Sequence, residues 1–181
     1  MSLIIVISTI PEGGIRRSVS KGKDWFDHLL PADEHRDFSV GDIHVEYTAE
    51  RINEKVIVSG QIQATLVMVC CRCLEKFILH VGTPFRYIYQ PEDDVQATDH
   101  ELQDEELEWC FYHGDTIDIS ERIVEQIVLQ VPMKPLCSEN CKGICPVCGG
   151  NRNIKPCHHE DETTHSPFDA LKNLKVKKGS S

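Results

Sequence analysis

Between residues 137 and 159 the chain reads Cys137-x3-Cys141-x3-Cys145-x2-Cys148-x8-Cys157-His158-His159, five cysteines and two histidines in 23 residues. Gly143, Pro146, Gly149 and Gly150 punctuate this otherwise coreless stretch. Something other than hydrophobic burial must hold it in shape. Thiolate sulfur and imidazole nitrogen are soft or borderline donors that suit a tetrahedral Zn2+. Cys145-Pro146-Val147-Cys148-Gly149 has the form of a zinc knuckle. Two residues between the thiols let both sulfurs face one ion, and Gly149 permits the tight turn behind them. Two thiolates do not close a structural site. A second pair must come from Cys137/Cys141 upstream or from Cys157/His159 downstream.

Disulfides are the competing account of so many thiols. They belong to oxidising compartments, and the N-terminus does not have the form of a secretory signal: Leu3 to Ile7 is a short apolar run with no basic residue before it. No apolar run approaches the ~20 residues that span a bilayer. The chain is therefore expected in the cytoplasm, away from membranes, where clustered cysteines are more often metal ligands or catalytic thiols than bridges.

The formal net charge of −10 is unevenly spread. Residues 91–108, PEDDVQATDHELQDEELE, hold nine of the 29 acids and no Lys or Arg, leaving 20 acids against 19 bases elsewhere. A block of like charge repels itself and reads as a solvated linker. The functional alternative is a docking arm for a basic partner such as a ribosomal protein.

Leu3 to Ile10 is rich in β-branched residues and is expected to be a strand, stopped by Pro11-Glu12-Gly13-Gly14. Residues 15–30 begin basic and end in Trp25-Phe26-x2-Leu29-Leu30, apolar at helical spacing, which predicts a short helix before Pro31. Trp25 and Phe26 are expected as core anchors. From Ser39 to Gln90 the pattern alternates: Ile43, Val45 and Tyr47 against His44 and Glu46, a turn near Asn53-Glu54, and a long strand over 56–69 bent or bulged at Gly60. Cys70 to Cys73 then occupies a hairpin tip, and Phe77 to Val81 resumes the extended pattern. Leu107 to Tyr112 is a short apolar stretch before a turn at Gly114-Asp115. Asp118 followed by Glu121 suggests a capping box. Ile119, Ile123, Ile127, Val124, Val128 and Val131 share one face of a helix over 119–130, ended by Pro132 and expected to pack on the sheet. Phe168, Leu171 and Leu174 predict a short terminal helix before a lysine-rich end.

Cys70-x2-Cys73 alone is a weak signal. It could be a thioredoxin-like redox pair, two structural thiols, or half of a metal site. A redox pair belongs at a strand-to-helix junction, whereas here strand pattern resumes at once. Counting donors favours metal. Cys70, Cys73, Cys137 and Cys141 make one four-thiolate set; Cys145, Cys148, Cys157 and His159 make another, leaving only Cys71 and Cys110 over. The expected cofactor is Zn2+, one or two ions. Closed sites of this kind organise backbone and do not activate water. His158, His159 and His165 lack the carboxylate spacing of a hydrolytic zinc site, and no nucleotide-binding or nucleophile motif is present. An enzyme is not expected.

The stretch Cys-x-Arg-Cys-Leu from Cys70 to Leu74 with its acidic spacer, IDISERIVEQIVLQVPMKPLC leading into CKGICPVCGGNRN and a closing cysteine, and the terminal Pro167-Phe168-x2-Leu171-x2-Leu174 resemble the bacterial and plastid YceD family, the large ribosomal RNA subunit accumulation proteins. The resemblance covers about residues 40–175. Two positions depart from it. The family often closes with Cys-x-Cys where this chain has Cys157-x-His159, and often has Asn-Leu-Asn where this chain has Asn151-Arg152-Asn153. The resemblance implies a non-enzymatic factor for processing or accumulation of large-subunit (23S) ribosomal RNA, with the cysteines as metal ligands.

Overall acidity argues against general nucleic-acid affinity, but the local charge fits either RNA contact or a solvated zinc module with no RNA role. In residues 133–157, Lys134, Lys142, Arg152 and Lys155 face a single acid, Glu139, and Lys172, Lys175, Lys177 and Lys178 follow. The expected fold is α+β, an antiparallel β-sheet or meander with one packed amphipathic helix and a C-terminal zinc-binding module. Its expected parts are a β-rich domain (1–90), an acidic linker (91–108), a strand and helix packed on that domain (109–132), and a Cys-rich zinc module with a basic tail (133–181). The expected partner is 23S rRNA or a precursor large ribosomal subunit. The alternative is a zinc-stapled adaptor that captures a basic ribosomal protein through the acidic linker. The sequence leaves the oligomeric state open.

Overall fold

Strict alternation builds the centre of the molecule. Three long strands, β3 (Phe38–Ile52), β4 (Lys55–Val69) and β5 (Lys76–Pro91), run antiparallel to one another. Val45, Tyr47 and Ala49 of β3 and Val58, Ile62, Ala64 and Leu66 of β4 point to one face and are buried. The opposite face carries His44, Glu46, Thr48, Ser59, Gln61, Gln63 and Thr65, none of them buried. Asn53 takes a left-handed φ of 57° in the tight β3–β4 turn, a conformation asparagine tolerates. The computed structural model describes residues 2–30, 37–92, 109–155, 157 and 159.

β2 (Ile15–Lys21) adds antiparallel to β3, and β6 (Trp109–Tyr112) adds parallel to β5, giving the order β2-β3-β4-β5-β6. The sheet is therefore mixed at one edge and not a pure meander. Sixteen residues separate Glu92 from Trp109 in sequence, enough for the crossover that a parallel neighbour requires. A second, two-stranded sheet pairs β1 (Ile4–Val6) with β7 (Thr116–Asp118). Two helices, α1 (Lys23–Leu29) and α2 (Ser120–Leu129), pack over the apolar face. Phe26 of α1 and Ile123, Val124 and Ile127 of α2 are buried with the strand residues in one core. Both helices, not one, are thus packed elements.

Several expectations need correction. The strand expected over Leu3 to Ile10 stops at Val6 and becomes a single 3-10 turn, Ile7–Thr9. Asp115 causes the change: its carbonyl accepts from the Ile7 N–H, and its carboxylate accepts from the Ser8 N–H at 2.8 Å and the Ser8 hydroxyl at 2.5 Å. Asp118 accepts from the Ser120 N–H at 2.9 Å, but Ile119 is the helix N-cap, so α2 begins one residue later than a capping box at Asp118 would have it. The buried Ser120 hydroxyl in turn accepts from the Leu3 N–H at 2.7 Å, which ties the N-terminal strand to α2. The acidic run from residue 93 to 108, the expected terminal helix at Phe168 to Leu174, the lysine-rich end, His158 and His165 lie outside the described residues. No helix among the described residues is long and apolar enough to cross a membrane.

Gly60 does not bulge β4. It pairs in register with Tyr47 on one side and Phe85 on the other. The irregularity lies in β3, where Gly41 and Asp42 intervene between Val40, paired with Leu66, and Ile43, paired with Ala64. Gly60 answers a different need, close approach: a Cβ there would lie 2.1 Å from the Glu46 carbonyl oxygen and 2.8 Å from the Tyr47 Cα. Backbone cannot yield as a side chain can. Gly60→Ala is expected to lower unfolding free energy by about 3 kcal/mol, measured by urea denaturation; a loss within error would show that the two strands part freely at this point.

Candidate metal centres

The β4–β5 hairpin ends in a knuckle. The Cys70 N–H donates to the Glu75 carbonyl at 2.9 Å, and the Leu74 N–H donates to the Cys70 carbonyl at 2.9 Å. The same two bonds recur at the C-terminal knuckle, from Cys145 N–H to the Gly150 carbonyl and from Gly149 N–H to the Cys145 carbonyl, both 2.8 Å. The residue after the second cysteine is left-handed in each, Leu74 at φ 62° and Gly149 at φ 69°. One knuckle thus has the glycine that the turn calls for, and the other a strained leucine, 63% exposed. The left-handed backbone costs leucine about 1–2 kcal/mol, and glycine's greater chain entropy removes about 0.5–1 of that advantage. Leu74→Gly should therefore raise the stability of the hairpin by up to about 1.5 kcal/mol. Slower amide exchange at Leu74 and Glu75 would report it, and faster exchange would contradict it.

The chain beyond α2 folds back onto this hairpin. The Cys71 N–H donates to the Pro135 carbonyl at 2.9 Å, and the Ile144 N–H donates to the Arg72 carbonyl at 3.0 Å. The Arg72 guanidinium reaches the Cys141 carbonyl at 3.1 Å. Two groups of donors result. Cys70, Cys73, Cys137 and Cys141 form the first, and Cys145, Cys148, Cys157 and His159 the second; within each, the ligand atoms all lie within 4.8 Å of one another. Cys71 stays exposed on the tip and Cys110 sits half-buried in β6, apart from both groups.

The separations decide what such groups can be. Cys70 Sγ and Cys141 Sγ are 3.7 Å apart, and Cys73 Sγ and Cys137 Sγ 3.6 Å. A disulfide needs about 2.05 Å. A tetrahedral ion bonded to sulfur at about 2.3 Å separates its sulfurs by about 3.8 Å. In the second group, 3.7 Å from Cys145 Sγ to His159 Nδ1 matches the roughly 3.6 Å between mixed sulfur and nitrogen ligands. Both donor sets could hold a metal ion, and these three separations are those of neighbouring ligands in four-fold coordination.

Hydrogen bonds prepare the sulfurs. Burial pushes the Cys70 thiol up, but backbone N–H groups of Cys137, Cys73 and Arg72 aimed at its sulfur bring it down to about 6. Cys145 falls to about 6 because the Cys148 and Val147 N–H groups and the Cys157 side chain bond to it. Cys141 is buried too, yet the Asn153 amide and the Gly143 N–H hold it below its ordinary value. Cys137 is pushed up to about 12, first by the neighbouring Cys73 thiol and then by burial. Four sulfurs this close in the first group, and three in the second, cannot all ionise alone; a bound cation would displace the protons they keep.

Sequence reasoning missed two residues. Arg72 clamps the tip to the C-terminal segment, and Asn153 donates its side-chain amide to Cys141 Sγ at 3.3 Å. The signal for each was position: Arg72 lies inside one C-x-x-C, and Asn153 lies between Cys148 and Cys157.

The family model described as large ribosomal RNA subunit accumulation protein YceD matches residues 58–175, a span that takes in all eight clustered donors. The chain belongs to the YceD family. Its similar relatives include uncharacterized proteins of Mycobacterium tuberculosis and Mycobacterium leprae, each 28% identical over 120 residues and 66% of this chain. Those 120 residues make up 56% and 53% of the two mycobacterial proteins, so this YceD-family chain spans little more than half their length. A Zea mays protein named large ribosomal RNA subunit accumulation protein YCED homolog 1, chloroplastic, is 25% identical over 134 residues, 61% of this chain and 45% of its own length. No solved structure matches the chain.

Proposed function

We propose that this YceD-family chain is a non-enzymatic accessory factor in large ribosomal subunit biogenesis, supporting 23S rRNA accumulation by binding that RNA or its precursor particle. The observation that carries it is the family match over residues 58–175, which includes both donor groups. Zn2+ is the ion the donors favour, since sets of four cysteines, or of three cysteines and one histidine, are typical of structural zinc. Four protein donors leave no open coordination position, so each ion would hold backbone and not activate water. The eight ligands are Cys70, Cys73, Cys137 and Cys141 for one ion and Cys145, Cys148, Cys157 and His159 for the other.

Charge supports RNA as the partner. Lys134, Lys142, Arg152 and Lys155 lie in or beside the metal-ordered segment against Glu139 alone, and phosphate binding rests on such cations. We place the zinc module and its basic tail over 133–181, joined through the 109–132 strand and helix to the β-rich domain, in the reducing cytoplasm. Crosslinking the protein in cells and sequencing the bound RNA should enrich 23S rRNA, and depletion should lower its accumulation. RNA recovery at background, with capture of a basic ribosomal protein that depends on residues 91–108, would overturn this in favour of a protein adaptor.

A further inference from the structure

We infer that Asn153 couples the two donor groups, so that closing the second strengthens metal binding at the first. This rests on the metal assignment proposed above and adds a dependence between sites that the assignment does not require.

Asn153 lies between Cys148 and Cys157, in the loop that the second group draws shut. Its side chain faces the first group. Nδ2 donates to Cys141 Sγ at 3.3 Å and to Asn151 Oδ1 at 2.9 Å, while Oδ1 accepts from the Lys142 N–H at 2.8 Å. The amide orientation is fixed by these neighbours. A flip would set its oxygen against a thiolate and against Asn151 Oδ1, and its NH2 against an N–H donor. Asn151 Oδ1 also accepts from the Asn153 N–H at 2.9 Å, and Asn151 Nδ2 reaches Glu75, two residues beyond Cys73. Three stretches of backbone are layered by the same contacts. Arg152 N–H donates to the Gly143 carbonyl at 2.9 Å, Ile144 and Asn151 form a β-bridge, and Ile144 N–H reaches Arg72.

A four-thiolate site around a divalent cation carries net negative charge, which N–H···S bonds offset. Cys70 and Cys73 receive such bonds from backbone N–H groups. Cys141 takes one from the Gly143 backbone and another from a side chain twelve residues away, on the loop belonging to the other group. That side-chain donor is in place only while the loop is closed. An ion at the second group would therefore raise affinity at the first, and linkage requires the converse by the same factor. Losing an outer hydrogen bond of this kind typically weakens metal affinity 10–100-fold.

A double-mutant cycle on the full chain tests this. Asn153→Asp keeps the shape and the acceptor for Lys142 but cannot donate to sulfur; Cys157→Ser disables the second group. Native mass spectrometry first counts zinc in the wild type. Affinity at the first group is then read from its cobalt charge-transfer band under titration with a competing chelator. Each single substitution should weaken the first group 10–100-fold, and the two together no more than either alone. Equal losses from Cys157→Ser with and without Asn153, or no loss from Asn153→Asp, overturn the coupling. A wild type that holds no metal sinks the metal assignment itself, a separate result. Should Asn153→Asp leave the loop unformed, Cys157→Ser alone still decides: an unchanged first-group affinity refutes the inference.

Discussion

Chelation of the fully reduced protein should abolish the dispersed amide signals of residues 137–157 while those of β3 and β4 stay in place. On the proposed metal assignment the two regions are held by different forces. Around β3 and β4 the buried set includes Val45, Val58, Ile62, Leu66, Phe26 and Ile123, a core that needs no ion. Among the described residues between Cys137 and Cys157, only Cys141 and Cys145 are buried hydrophobic residues, and the regular pairing is one isolated bridge, Ile144 to Asn151. Small thiolate modules draw their folding free energy from the metal, about 10–16 kcal/mol for a structural zinc at neutral pH. With the ion gone, ordering this segment has no comparable compensation for its chain entropy, roughly 1–2 kcal/mol per residue. Heteronuclear amide spectra before chelation, after it, and after zinc is restored would show loss and recovery. Signals from Cys141 to Asn153 that stay dispersed in metal-free protein would mean the hydrogen bonds suffice alone.

The central strands were legible because burial on one face writes itself into every second residue. Ile43, Val45 and Tyr47 alternate with polar neighbours in sequence and face the core in space. The grouping of Cys70 and Cys73 with Cys137 and Cys141 was only favoured by the sequence: a tetrahedral ion needs four donors, and the count also closes with Cys137 and Cys141 beside Cys145 and Cys148. β2 escaped notice since an edge strand need bury little; Arg16, Arg17 and Lys21 hide the alternation of Ile15 and Val19. The parallel pairing of β6 escaped because direction is set by the connection, not by the strand's own residues. Gly60 suggests a bend or a bulge in sequence; the in-register pairing excludes the bulge, and the close approach that requires a glycine there leaves no mark in the sequence. Asn153 was invisible as an outer donor, because its partner sulfur lies twelve residues off and only the folded loop brings them together.

Phe26→Ala should remove about 3–5 kcal/mol of global stability and leave the metal content untouched. Phe26 is fully buried and meets Phe38 edge-on, ring centres 6.3 Å apart at 70°. α1 has only seven residues, too short to persist by its own hydrogen bonds, and Phe26 is its one buried side chain. The ring therefore seats the helix in the core that α2 and the strands share. Truncation leaves a cavity that β3 and β4, locked by pairing on both sides, cannot collapse to fill. The donor groups lie at the hairpin tip and beyond it, outside the main buried cluster. Thermal or urea unfolding followed by circular dichroism measures the first effect, and native mass spectrometry of the same sample the second. A variant that melts early with the metal content of the wild type separates the two sources of order. Ion loss in step with the core would instead make the hairpin tip part of a single cooperative unit, with the sheet and not the sulfurs alone setting the geometry that grips the metal.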